Sequence, residues 1–205
     1  MPTQQSRRRI LQWTQRVLFT GAVSMFGYDG FVLMDAWVFQ SRQDRRLDHL
    51  LADRQPSQVS PADSRGVLST VATGGVIGRI EVPRLSLSVI VAEGVDTATL
   101  QRAAGHIPGT ALPGQPGNIG ISGHRDTFFR PLRNIQQHDI ITVTTLHGVY
   151  RYRVVSIKVT GPSDVAVLDP GKNEILTLVT CHPFYFVGSA PDRFIVRAER
   201  VGNTS

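Results

Sequence analysis

The sequence predicts an all-β domain, a closed barrel or a sandwich carrying short helices, preceded by an N-terminal membrane helix. Three observations predict it. Residues 76–205 are filled by short runs of alternating apolar and polar residues punctuated by Gly, Pro and Asp, the signature of strands. Few segments between those runs have a helical period, so the strands have each other to pack on. Val17 to Phe39 is a 23-residue segment of mainly apolar composition, long enough to cross a bilayer as a helix.

Taken in order, residues 1–16 form a basic N-terminal segment, with four arginines and no acid between Arg7 and Arg16. The apolar segment 17–39 is read as an uncleaved anchor, since no small-x-small cleavage pattern follows a short apolar core. Asp29 and Asp35 oppose that reading, because an acid at mid-helix costs about 2.5–3.5 kcal/mol on an insertion scale. The competing reading is a soluble amphipathic helix. Arg7, Arg8, Arg9 and Arg16 precede the segment, whereas Arg42, Arg45 and Arg46 follow it together with Asp44 and Asp48, so the charge bias favours an amino terminus inside. Residues 40–75 are expected to be a charged helical extension, with Leu47, Leu50 and Leu51 on one face, followed by a Pro/Ser/Gly-rich linker from Gln55 to Gly75. The β domain is placed at 76–205.

Within it, strands are expected at 76–82, 85–91, 118–123, 139–145, 149–160, 175–180 and 193–201, with a shorter one possible at 163–168. A short helix is expected at 97–104 and a helical turn at 127–134. Along 149–160 the inward phase switches between Val154 and Val155, which predicts a bulge in a curved sheet. The 205 residues carry a net charge of +6 from 20 Arg and 2 Lys against 16 acids. No nucleic-acid motif accompanies the arginines and no stacking aromatics interleave with them, so they read as solvated basic surface and nucleic acid is not an expected partner. A single Cys excludes an intramolecular disulfide and leaves one thiol to explain.

That thiol, Cys181, ends the apolar run Leu176-Thr177-Leu178-Val179-Thr180. Pro183 cannot donate to a ladder, so the strand is expected to stop at the thiol or directly after it, at a rim. The bland alternative is a small buried hydrophobe. A nucleophilic thiol needs a partner that favours the thiolate, and imidazolium is the usual one. Of six histidines, His49, His138 and His147 read as surface residues, and His106 as the anchor of a Gly/Pro-rich loop. His182 adjoins the thiol, but neighbours in an extended chain face opposite sides. His124 follows the apolar strand Asn118 to Gly123 and emerges at a second strand end. Arg193, at the start of the final strand, is a candidate to hold an oxyanion, with Arg197 competing.

The blocks Gly105-His106-Ile107-Pro108-Gly109-Thr110, Pro113-Gly114-Gln115-Pro116-Gly117-Asn118, Ser122-Gly123-His124-Arg125-Asp126-Thr127-Phe128-Phe129, Leu176 to Cys181, Pro183-Phe184 and Ala190-Pro191-Asp192-Arg193-Phe194-Ile195-Val196 together resemble a sortase, most closely the class D type, over residues 76–199. The resemblance implies a closed eight-stranded sortase-type β-barrel with the site at one end. It implies Cys181 as nucleophile, His124 as general acid and base, and Arg193 as oxyanion and substrate-positioning group, with Thr180 lining the substrate pocket. It further implies secreted proteins bearing a C-terminal LPxT-like sorting motif as substrates, an amine acceptor from a wall precursor or a protein, and work on the extracytoplasmic side of the membrane. No cofactor is expected, since the acidic cluster that binds calcium in some other sortases is not evident. His182 stands where the class often has Tyr.

Two rival readings use the same residues. One is a non-catalytic, membrane-tethered β-barrel that binds peptides or assembles surface structures. The other is a metal site from His124, Asp126, Cys181 and His182, which are suitable ligand types without a metal-ligand spacing motif.

Overall fold

A computed structural model of the chain describes residues 4–53, 72–186 and 188–202. Its contacts divide into two compact units, Met1–Val38 and Phe39–Ser205. Helix α1 runs Gln4–Ala52. It contains a window of mean hydropathy 1.5 of which nothing is buried, so by length and composition it is able to cross a membrane. Leu18, Phe19, Met25, Phe26, Phe31 and Trp37 are all more than half exposed along it. Most of the predicted 55–75 linker lies outside the described residues.

Among the described residues of the second unit, eight strands close into a barrel in the order β1-β2-β3-β4-β7-β8-β6-β5. They are β1 Val76–Val82, β2 Leu87–Glu93, β3 Ala104–His106, β4 Gly117–Ser122, β5 Ile140–Thr145, β6 Gly148–Thr160, β7 Glu174–His182 and β8 Asp192–Arg200. Inward-facing Ile80, Val82, Val89, Ile119, Ile121, Ile141, Val143, Leu176, Leu178 and Val196 fill the interior and are almost wholly buried, the alternation that a sheet closed on itself requires. The bulge expected in β6 is present, as a register shift against β8 between Val154 and Ser156. Helix α2 is Thr97–Arg102, capped by Asp96, whose carboxylate accepts from Thr99 N.

Three expectations need correction. The segment 163–168 is no strand: Val165–Leu168 forms a 3-10 turn whose exposed Val165 and buried Val167 mimic strand alternation. The missing strand is β3, where the sequence predicts helix as far as 104; three residues are enough there because Gly105 pairs with both Ala92 and Ser122. The second strand begins at Leu87 because Pro83–Leu85 makes a 3-10 turn and Ser86 takes a left-handed conformation.

The C-terminal turns of α1, within the second unit, close a gap in the sheet. β3 pairs with β2 only from Val91 onward, which leaves the Ile90 N–H facing outward. Gln40 Oε1 accepts that N–H at 2.8 Å, while Gln40 Nε2 donates to Arg102 O at 2.7 Å. Arg79 on β1 reaches Asp44 and Asp48, each at 3.0 Å, and Leu47 is buried.

Candidate active site

β4 and β7 run parallel, so both reach the same rim of the barrel with their C-terminal ends, and β8 starts from that rim antiparallel to β7. On β7, Leu176, Leu178 and Thr180 face inward, while Ile175, Thr177, Val179 and Cys181 face outward. The strand ends one residue past the thiol, and Cys181 is half-buried. Arg193 is paired directly across from it, on the same outer face. Cross-strand partners have Cα atoms about 4.5–5.5 Å apart. Arg197, the competing choice, lies across from Thr177, further from the rim. It lines a separate cavity of about 150 Å3 with Ser156, Lys158, Val167 and Ile195.

His124 arrives from the other side. Ser122 pairs with Val179, and the Gly123 N–H donates to Val179 O at 3.1 Å, carrying the pairing one residue past β4. His124 follows directly, two residues past the end of β4 and at the same rim as Cys181. The imidazole is exposed and, among the described residues, neither it nor the thiol is engaged by another side chain. Cys181 and Arg193 thus form a cross-strand pair at one end of the barrel, and His124 lies on the segment that leaves β4 at that same end.

Below them the outer face is covered. The 3-10 turn Val165–Leu168 lies over it, and Asn118 holds that turn by donating to Val167 O at 2.9 Å while accepting from Thr177 Oγ1 at 2.7 Å. Gly120 keeps the fit: a Cβ there would stand 3.0 Å from Leu168 and 3.1 Å from Ile107. Ser122, Val179, Cys181 and Arg193 remain partly exposed above the turn.

Thr180 is not part of that exposed face. It is 2% exposed, and its Oγ1 donates to Gly123 O at 2.7 Å, tying the end of β7 to the end of β4. His182 also turns from the thiol. It stacks on Phe194 at 6.2 Å and meets Phe184 edge-on at 6.1 Å, while its Nδ1 is buried with no hydrogen-bond partner among the described residues. His106 is buried, with Nδ1 2.7 Å from Glu93 Oε2 and Nε2 donating to Ala111 O at 2.9 Å, so it fixes its loop. Among the described residues no group of three His, Cys, Asp or Glu side chains is arranged to hold a metal ion.

One residue of the site escaped sequence reasoning although it stands in the Gly-His-Arg-Asp block. Arg125 is 6% exposed, and its guanidinium donates to Pro183 O, Phe186 O and Gly188 O at 3.0, 2.5 and 3.0 Å. Its acceptors are main-chain carbonyls some sixty positions away, which no local spacing announces. Arg193 Nη1 in turn donates to Ala190 O and Asp192 O at 3.3 and 3.0 Å.

The Sortase domain family model matches residues 80–201 of this chain. The chain is 28% identical to Sortase D of Bacillus subtilis over 187 residues, 85% of this chain and 91% of that one. It is 30% identical to Sortase SrtE1 of Streptomyces coelicolor over 172 residues, 75% of this chain and 48% of that one. Among solved structures, the Clostridium perfringens Sortase D5 transpeptidase superposes with a TM-score of 0.65 at 30% identity, covering 79% of this chain and 99% of that one. With its closed eight-stranded barrel and this matching, the chain belongs to the sortase family of cysteine transpeptidases and is class D-like within it.

Proposed function

We propose that the chain is a membrane-tethered transpeptidase that cleaves an LPxT-like sorting motif of secreted proteins through a thioester on Cys181. The observation that supports the reading is that Cys181 pairs with Arg193 at the rim where β4, the strand that leads into His124, also ends. The Cys181 thiolate attacks the carbonyl carbon of the motif's Thr, in an LPxT-G or LPxT-A sequence, and the carbonyl electrons move to oxygen. Arg193, across the ladder from the nucleophile, offers cationic donors to that oxyanion. As the tetrahedral adduct collapses, the C–N bond breaks and the His124 imidazolium gives its proton to the leaving amine. The thioester divides amide exchange into two steps. An incoming amine from a wall precursor, a lipid-linked precursor or a protein then attacks it, His124 takes a proton back, and the thiolate leaves.

In this reading 1–16 is the basic cytoplasmic segment and 17–39 the membrane anchor. Residues 40–75 are extension and linker, and 76–205 is the extracytoplasmic catalytic domain. The exposed apolar side chains of α1 support the anchor, since such a surface is unstable against water. Mass spectrometry of the intact chain incubated with LPxTG or LPxTA peptides tests the chemistry. An acyl adduct on Cys181 that triglycine discharges is expected, and it is lost in Cys181→Ala. Turnover persisting in Cys181→Ala would overturn the mechanism.

A further inference from the structure

The connection between Cys181 and Arg193 has few holds of its own. Its one internal main-chain hydrogen bond among the described residues is Phe186 N to Pro183 O at 3.3 Å, and Tyr185 and Phe186 are exposed. Two arginines hold its main-chain carbonyls instead. Arg193 holds its C-terminal end through Ala190 O, and Arg125 holds its beginning and middle through Pro183, Phe186 and Gly188. Arg125 comes from the residue next to His124, so one side chain from the His124 segment fastens the chain that joins the other two reactive groups.

Its chemistry suits that task. A guanidinium presents five N–H donors in a rigid planar fork, which lets one side chain reach several carbonyls at once. Here Nη1 and Nη2 reach three main-chain oxygens, while Nε lies 3.4 Å from the Asp126 carboxylate. Asp126 is itself 70% exposed, so carbonyl dipoles supply much of what this buried cation needs. The Arg125 Cζ also lies 6.0 Å from the centre of the Phe186 ring. A lysine's three donors radiate from a single atom and do not span these oxygens.

We propose that Arg125 is a positioning residue of the transpeptidation reaction, fastening the β7–β8 connection so that Arg193 is held in place across from Cys181. The inference rests on the assignment of Cys181, His124 and Arg193 proposed above. It touches neither peptide nor thiol; it acts through Arg193.

A double-mutant cycle tests it, read as the single-turnover rate of Cys181 acylation by an LPxTG or LPxTA peptide and normalised to the thiol titrated by iodoacetamide. Arg125→Gln and Arg125→Lys are each made in the unmutated chain and in Arg193→Lys. In the presence of Arg193, Arg125→Gln is expected to slow acylation about 100-fold, the scale of an ångström's misplacement, and Arg125→Lys about tenfold. In the Arg193→Lys background the further loss from either change is expected to stay below about threefold, because coupled residues are not additive. Equal losses in both backgrounds, or a loss under threefold beside Arg193, would overturn the inference. If Arg125→Gln does not fold, the Arg125→Lys pair carries the same comparison. An unmutated chain that forms no acyl-enzyme would sink the underlying assignment and this inference with it, whereas intact acylation with additive losses would sink this inference alone.

Discussion

Gly123→Ala puts the placement of His124 to a quantitative test. A Cβ at Gly123 would stand 2.7, 2.9 and 2.9 Å from three carbons of the Phe129 ring. Carbon atoms in contact prefer about 3.5–4.0 Å, so backbone and ring must separate by roughly 0.8 Å. Phe129 is fully buried, and its main chain is tied to the site, with its N–H donating to His124 O at 3.0 Å. The ring therefore has little room to retreat, and the end of β4 is the part that moves. Overpacking of this kind costs about 1–3 kcal/mol, which for a domain of this size lowers Tm by roughly 3–12 °C. The same displacement acts on catalysis. Gly123 is held to β7 by its N–H on Val179 O and by Thr180 on its own carbonyl, so moving it shifts His124 relative to Cys181. A shift near 1 Å costs on the order of 100-fold in rate. The assay is kcat/KM with a quenched-fluorescent LPxTG or LPxTA peptide and triglycine, beside a thermal melt. Gly161→Ala is the control, since nothing lies within 4 Å of the added methyl, and it should leave both unchanged. A Gly123→Ala protein melting within about 1 °C of the unmutated chain and turning over within threefold would refute the steric argument. A lowered Tm with unchanged turnover would refute its positional half.

Three further outcomes follow from other parts of the barrel. Tyr152→Phe removes the buried hydroxyl bonded to Glu174 and should cost about 1–2 kcal/mol in a denaturant melt. It should leave kcat/KM within twofold, because Glu174 begins β7 roughly 23 Å of strand away from Cys181. Arg84 clasps Asp139 through Nε and Nη2 at 2.5 and 2.6 Å and, helped by the Gln136 N–H, holds that carboxyl below its ordinary range. A carboxyl with a depressed folded pKa lends stability in full above its unfolded pKa of about 3.9 and loses it as pH falls through the folded value. Asp139→Asn should thus lower Tm at neutral pH and flatten its decline below about pH 4; an unchanged acid slope would count against the pair. Arg79→Ala deprives Asp44 and Asp48 of their common partner and should speed amide exchange in residues 40–52, an effect absent if Leu47 and Gln40 alone hold that helix to the sheet.

How much was legible in the sequence depended on whether a residue's partners are periodic neighbours. The long strands were readable because Ile119 and Ile121, or Leu176 and Leu178, alternate with residues of the other face, and a closed sheet rewards that alternation directly. β3 was not, since three residues around Gly105 carry no period and become a strand only through main-chain pairing with β2 and β4. Val165 and Val167 misled for the complementary reason: their alternation is real, but one side of it faces solvent on a turn. At the site, Cys181 and His124 were legible as residues just beyond apolar runs. The strand phase that groups Thr180 with Leu176 and Leu178 was legible too, and it sends that side chain inward while Cys181 faces out, so the pocket role implied by the resemblance has no support from the phase. Arg125 was invisible as a clamp because its partners are carbonyls, which every residue owns.

The topology explains why three groups so distant in sequence need so little to bring them together. Parallel strands end at the same rim, so pairing β4 with β7 brings His124 and Cys181 to the same end of the barrel. The fifty or so residues required to return from the end of β4 to the start of β7 are used to build β5 and β6, the far wall of the barrel. Only Arg193 depends on a connection that lies wholly at the rim, because β8 must turn back from β7 there. Cys181 is therefore fixed by the barrel and His124 by its short tie to β4, while the placement of the Arg193 guanidinium is left to the connection between β7 and β8. Under the proposed assignment, changes in that connection should alter which peptides are acylated and how fast without moving Cys181 or His124. The Arg125 clamp sits where such changes would otherwise loosen the site.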